Sequence, residues 1–181
     1  FALLSRTGEV TQDLTERMEV LRSQGCGFRI FRADAGVYSE IRKVMEEIDL
    51  SMPELKGVIH AAGVIEARAL TELNQKEFLR ILNPKVKGAW NLHLLTQHKT
   101  LDCFIMFSSA STLIGLSGQG SYVAANAFLD TLAHTRRRMG LPGMSINWGV
   151  MKDVGMVANK AELEKYAKAE GFEPVSMKDA M

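Results

Sequence analysis

With 181 residues, 46% hydrophobic and 24% charged, and a formal net charge of +1, the chain is long enough to fill one core. That near-neutral balance excludes the basic surface that nucleic acid or an anionic membrane would need, and no apolar run approaches the ~18 residues of a membrane span. Cys26 and Cys103 sit in or beside apolar runs with no CxxC and no paired histidine. They read as buried thiols in a reducing, cytoplasmic compartment, and no metal-ligand set is in view. There is no initiator methionine and no charged-then-apolar leader, so Phe1 reads as an internal start.

Phe1 to Ser5 reads as the end of a buried strand. Val10, Leu14, Met18 and Leu21 repeat at helical spacing until Gly25. Phe28 to Asp34 is a second strand. Val37, Ile41, Val44, Met45 and Ile48 mark a second helix, stopped before Pro53. Gly57 to Gly63 is a third strand running into glycine, and Asn74 to about Lys99 is a long helix. Asp102 to Phe107 is a fourth strand, Tyr122 to Met139 a helix, and Met144 to Trp148 a fifth strand. A Lys/Glu/Ala-rich remainder carries a short helix from about Lys160 to Glu170. Strands alternating with helices at this spacing predict an α/β fold with a doubly wound, Rossmann-like parallel sheet, as a single domain over residues 1–181. Arg136-Arg137-Arg138, at a helix end beside Gly140, reads as a solvated last turn that complements the helix dipole.

The helix from Asn74 contains an anomaly. Phe78, Ile81, Leu82, Ala89 and Leu92 form one apolar arc at 100° per residue, and Lys85 falls inside it while Lys87 faces away. An inward lysine must snorkel, pair with a carboxylate or have a function. Pro84 removes a backbone donor beside it, so a kink is expected there.

A second cluster lies downstream. The apolar run Phe104 to Phe107 has no polar alternation, as in a strand buried on both faces, and it ends in Ser108-Ser109-Ala110-Ser111. The next helix opens with Tyr122 and Asn126, four residues apart and hence on one face. In open α/β sheets the carboxyl ends of the strands are where ligands bind, so this is a candidate active site. Taken singly, Tyr122 could be a helix-start aromatic, Asn126 a buried cap and Ser109 a strand-end turn.

Serine after a strand with tyrosine thirteen residues later resembles the short-chain dehydrogenase/reductase superfamily. There, lysine usually follows the tyrosine by four. Here Asn126 takes that place and a lysine stands on the preceding helix, which resembles the ketoreductase domains of modular polyketide synthases and related fatty acid synthases. Lys85-Val-Lys-Gly-Ala-Trp90, Phe107-Ser-Ser109, Tyr122-Val-Ala-Ala-Asn126-Ala-Phe-Leu-Asp130, Ile146-Asn-Trp-Gly149, His60-Ala-Ala-Gly63 and Ser5-Arg6 all match.

The resemblance implies NADPH-dependent reduction of a β-ketoacyl thioester borne on the phosphopantetheine arm of an acyl carrier protein, among other synthase domains. Tyr122 would be the general acid, and Lys85 would lower its pKa and bind the nicotinamide ribose. Ser109 would bind the substrate carbonyl, and Asn126 would hold Lys85 or a relay water. Ser5 and Arg6 would meet the extra phosphate of NADP and Asp34 the adenine. Ala61, Ala62, Gly63, Trp148, Gly149 and Val150 would border the cofactor. Val154, Gly155 and Met156 would hinge a lid.

The family's glycine-rich turn is not found, because the resemblance begins at the second strand, and the family's C-terminal end is also absent. Gly118-Gln-Gly120 is only half a dinucleotide motif. The 181 residues alone are therefore expected to be unstable or partly collapsed, and inactive. His60 reads as a strand histidine. Ile65-Glu66-Ala67 and Ile114 stand where the family's stereochemical markers would be, so the hydroxyl configuration stays open. A catalytically silent scaffold and a stand-alone reductase of a free small molecule are the alternative readings.

Overall fold

The structure, a computed structural model, describes residues 1–151, 171 and 173–180. Its longest strand, β4 (Cys103–Ser109), is paired on both sides. The strand β3 (Gly57–His60) runs parallel to it on one flank and β5 (Met144–Trp148) on the other, with Ser109 opposite Trp148 and His60 opposite Met106. Phe104 and Met106 are fully buried, as an uninterrupted apolar strand requires. The other two strands, β1 (Ala2–Ser5) and β2 (Arg29–Arg32), form a separate parallel pair.

Three helices lie side by side. They are α2 (Tyr38–Ser51), α3 (Gln75–Thr96) and α5 (Gly120–Arg138), with α3 touching both neighbours. Phe31, Ile41, Val44, Met45 and Ile48 form a core between β2 and α2, against which Leu92 and Leu95 of α3 pack. Val58, Ala89, Phe104, Met106, Leu129 and Leu132 form another between the three-stranded sheet and α3 and α5. The two cores are tied by Asn91, whose amide donates to the Ala35 carbonyl at 2.8 Å. The long helix starts on a capping box, with Asn74 and Glu77 each satisfying the other's backbone N–H. It then continues through Pro84.

Three expectations need correction. Of the apolar stripe Val10, Leu14, Met18 and Leu21 predicted for α1 (Gln12–Ser23), only Met18 is buried; Val10 is half-buried, and Leu14 and Leu21 stay exposed. Arg136 is not solvated: it is 0% exposed. It continues the inward row Leu129, Leu132, Ala133 at helical spacing. Its guanidinium lies over Phe104 at 3.8 Å, donates to the Pro142 carbonyl at 2.7 Å and meets His93 Nδ1 at 2.9 Å. A planar, weakly hydrated cation tolerates such burial better than an ammonium would. The thiols of Cys26 and Cys103 are free but only half-buried. Two short α-helices, α4 (Ser111–Ile114) after β4 and α6 (Met177–Ala180), and a 3-10 turn over Leu70–Glu72 complete the described elements. The predicted helix over 160–170 lies outside the described residues.

Candidate active site

Parallel strands bring their carboxyl ends to one edge, and β4 delivers Ser109 there as its last residue. The helix α5 supplies Tyr122, Asn126 and Asp130, one turn apart and so on one face. The helix α3 supplies Lys85, which is 2% exposed and donates from Nζ to the Phe107 carbonyl at 2.6 Å. The ammonium stands 5.7 Å from the centroid of the Tyr122 ring, and Tyr122 is 6% exposed. Lysine, phenol and serine are therefore brought together, with Lys87 left on the exposed face.

Burial governs the electrostatics. The Lys85 pKa is lowered to about 8, chiefly by desolvation, with the charge of Asp130 opposing. The Tyr122 pKa is raised, again first by desolvation, and hydrogen bonding to Asn126 and Ser109 works against it. The net shift is thus upward, against the expectation of a phenol pKa lowered by Lys85. The ammonium lies over the ring and spends a proton on the Phe107 carbonyl, so burial prevails. A phenol so held stays protonated, which is the form an acid needs.

Asn126, 0% exposed, does not hold Lys85: its Nδ2 donates to the Tyr122 carbonyl at 2.8 Å, and its Oδ1 has no hydrogen-bond partner among the described residues. His60 is buried and neutral, its pKa lowered to about 4 by burial first and by the Lys85 charge second. Its ring leaves no room for a side chain at residue 88, since a Cβ there would come within 2.9 Å of Cε1 and 3.2 Å of the Ala35 Cβ.

The other predicted positions among the described residues lie at or after the carboxyl ends of β1, β2, β3 and β5. Ser5 accepts from the Gly8 N–H at 3.0 Å, closing a turn that leaves Arg6 exposed. Asp34 already accepts from the Gly36 N–H at 2.8 Å. Ala61 and Ala62 are exposed and Gly63 half-buried after β3. Trp148 leans on Phe107 at 5.3 Å; among the described residues, its Nε1 has no hydrogen-bond partner and nothing lies within 4 Å of a Cβ built at Gly149. The Val150 carbonyl accepts from Val175 at 2.8 Å. Val154, Gly155 and Met156 lie outside the described residues. The Gly118–Gly120 segment is a turn before α5: Gly118 has φ +65°, and Gly120 sits against Leu70.

A family model described as the KR domain matches residues 1–153. The chain belongs to the KR domain family. The hybrid PKS-NRPS synthetase pyvA of Aspergillus violaceofuscus is 36% identical over 180 residues, 99% of this chain and 5% of that protein. The 6-methylsalicylic acid synthase of Penicillium patulum is 34% identical over 176 residues, 95% of this chain and 10% of that protein. Among solved structures, the ketoreductase from the first module of phoslactomycin biosynthesis in a Streptomyces species superposes with a TM-score of 0.89 at 31% identity. That match covers 99% of this chain and 41% of the solved one. The KR domain described here thus spans a small part of the curated synthases it matches, and its parallel α/β fold is that of the solved ketoreductases.

Two members of this KR site had no role assigned from sequence, Asn147 and Asp130. Both stood inside recognised motifs, and their signal was polarity in otherwise apolar segments: Asn147 between Ile146 and Trp148, Asp130 beside Leu129.

Proposed function

We propose that the chain is the catalytic ketoreductase portion of a polyketide synthase, reducing a β-ketoacyl thioester to the β-hydroxyacyl product with NADPH. The substrate arrives on an acyl carrier protein within the same assembly. The observation that carries this reading is the buried Lys85 ammonium 5.7 Å from the Tyr122 ring centroid, beside the serine that ends β4.

The residues suit a phosphorylated nicotinamide dinucleotide. Arg6, exposed past the end of β1, has no ion-pair partner among the described residues. An acidic residue there would select ribose hydroxyls, whereas a guanidinium favours an added phosphate. Among the described residues, the space beside Gly149 and the unpartnered Trp148 Nε1 leave room and a donor at the end of β5. When bound, the nicotinamide supplies hydride to the β-carbonyl carbon. Ser109 donates its hydroxyl hydrogen to the carbonyl oxygen, orienting it and stabilising the negative charge that develops there. Tyr122 passes its phenolic proton to that oxygen, yielding the alcohol. Lys85 stabilises the phenolate left behind, and Asn126 fixes the first turn of α5 through the Tyr122 carbonyl.

The test is NADPH oxidation by the complete polypeptide carrying this chain, with a β-ketobutyryl thioester offered free and on an acyl carrier protein. Reduction, faster on the carrier, is expected. Tyr122→Phe should lower kcat by about 10²–10⁴-fold while NADPH affinity holds. Parental turnover by Tyr122→Phe would remove the acid assignment.

A further inference from the structure

On β5, the side-chain nitrogen of Asn147 lies 3.0 Å from Asp130 Oδ2, 2.9 Å from Thr112 Oγ1, 3.2 Å from the Ser109 carbonyl and 3.3 Å from Ser108 Oγ. Carboxylate and carbonyl oxygens only accept, so the amide must present its NH₂ to this cluster. Both hydroxyls are free to accept, because Thr112 donates to the Ser109 carbonyl at 3.0 Å and Ser108 to the Asn126 carbonyl at 3.3 Å. One amide thus joins the end of β4, the first turn of α4 and the third turn of the helix bearing Tyr122. The other carboxylate oxygen, Asp130 Oδ1, is buried and has no hydrogen-bond partner among the described residues.

We propose that Asn147 and Asp130 are a positioning pair for the reduction: the amide fixes Ser109 relative to the face of α5 that carries Tyr122, and it anchors the carboxylate that acts on Lys85. This rests on the ketoreductase reading. Among the described residues, the Lys85 ammonium lies over the Tyr122 ring of α5 and donates to the Phe107 carbonyl of β4, and it interacts electrostatically with His60 of β3 and Asp130 of α5. His60 is neutral and Tyr122 protonated at neutral pH, so Asp130 supplies the negative charge that opposes desolvation of the ammonium. Asn147 touches neither substrate nor cofactor in this scheme. It acts through Ser109 and Asp130.

The experiment is the pH profile of kcat/KM for NADPH-dependent reduction of a β-ketobutyryl thioester by the complete polypeptide, with unaltered protein and Tyr122→Phe run alongside. Asp130→Asn, nearly isosteric, should move the alkaline limb toward lower pH by on the order of one unit. Asn147→Ala should lower kcat by about tenfold with the KM for NADPH unchanged, and Asn147→Ser, which keeps a donor, should recover part of the loss. The double variant should lose less than the product of the single losses, because both break one bond. If the alanine variant does not fold, the Asp130→Asn profile alone decides. An unmoved limb in an active Asp130→Asn protein, or multiplicative losses in the double variant, would overturn the pair while leaving the reductase reading intact. Absence of turnover in the unaltered protein would overturn both.

Discussion

Lys85 carries the sharpest residue-scale consequence. Its pKa of about 8 lies below the 10.5 of a free lysine, so between those values the site loses a charge that an exposed lysine would retain. Tyr122 is shifted the other way, so it stays protonated at the pH where Lys85 loses its charge. The alkaline fall in kcat/KM, which reports the free enzyme, is therefore expected above about pH 8 and belongs to Lys85. Lys85→Ala should abolish that limb and raise the KM for NADPH while lowering kcat. A limb retained in Lys85→Ala would assign it elsewhere. The inward direction of Lys85 was legible from its place in the Ile81–Ala89 arc, because helical period alone fixes the face. The direction of the Tyr122 shift was not legible. It depends on how fully the phenol is buried and on whether the ammonium reaches its oxygen, and sequence spacing reports neither.

At the scale of elements, the site is only as well placed as α3, because Lys85 projects from it while its partners stand on β4 and α5. The axial position of α3 is set where it meets β3. There Gly88 lets the His60 ring and Ala35 come against the helix one turn past Lys85. Gly88→Ala would normally favour a helix. Here the added methyl would stand 2.9 Å from His60 Cε1 and 3.2 Å from Ala35 Cβ, so something must shift. We expect a loss of about 1–3 kcal/mol in urea unfolding and a fall in kcat, since α3 moves with its lysine. An alanine variant as stable and as active as its parent would show that the contact relaxes freely. The elements themselves were readable: β5 was expected at its observed bounds, and the Asn74 start of α3 is the observed cap. The inward turn of Arg136 was present in the period of α5, but a run of three arginines suggests solvent. Only the partner carbonyl of Pro142 and the face of Phe104 explain its burial.

The whole molecule is divided along its sheet. β1 hydrogen-bonds β2, and β3 hydrogen-bonds β4, but β1 and β3 do not pair. Ile59, in the middle of β3, is 65% exposed although its neighbours Val58 and His60 are buried. Among the described residues, backbone donors and acceptors along two strand edges thus lack sheet partners, and the Ile59 side chain beside them faces water. The division also bears on cofactor binding. A dinucleotide's pyrophosphate is best held by successive backbone N–H groups at a glycine-rich strand-to-helix turn. Among the described residues, the nearest glycine pair, Gly118 and Gly120, is committed to a turn against Arg68 and Leu70. Arg6 and the residues past β3 and β5 are then left to bind the cofactor by its ends. Micromolar binding requires about −8 kcal/mol, and a few exposed contacts on a divided sheet fall well short of that. NADPH fluorescence titration of these 181 residues alone should therefore show no saturation at micromolar concentrations. The complete polypeptide, in the same titration, should saturate. Micromolar affinity in the isolated chain would mean that the two sheets already hold the cofactor without a strand between them.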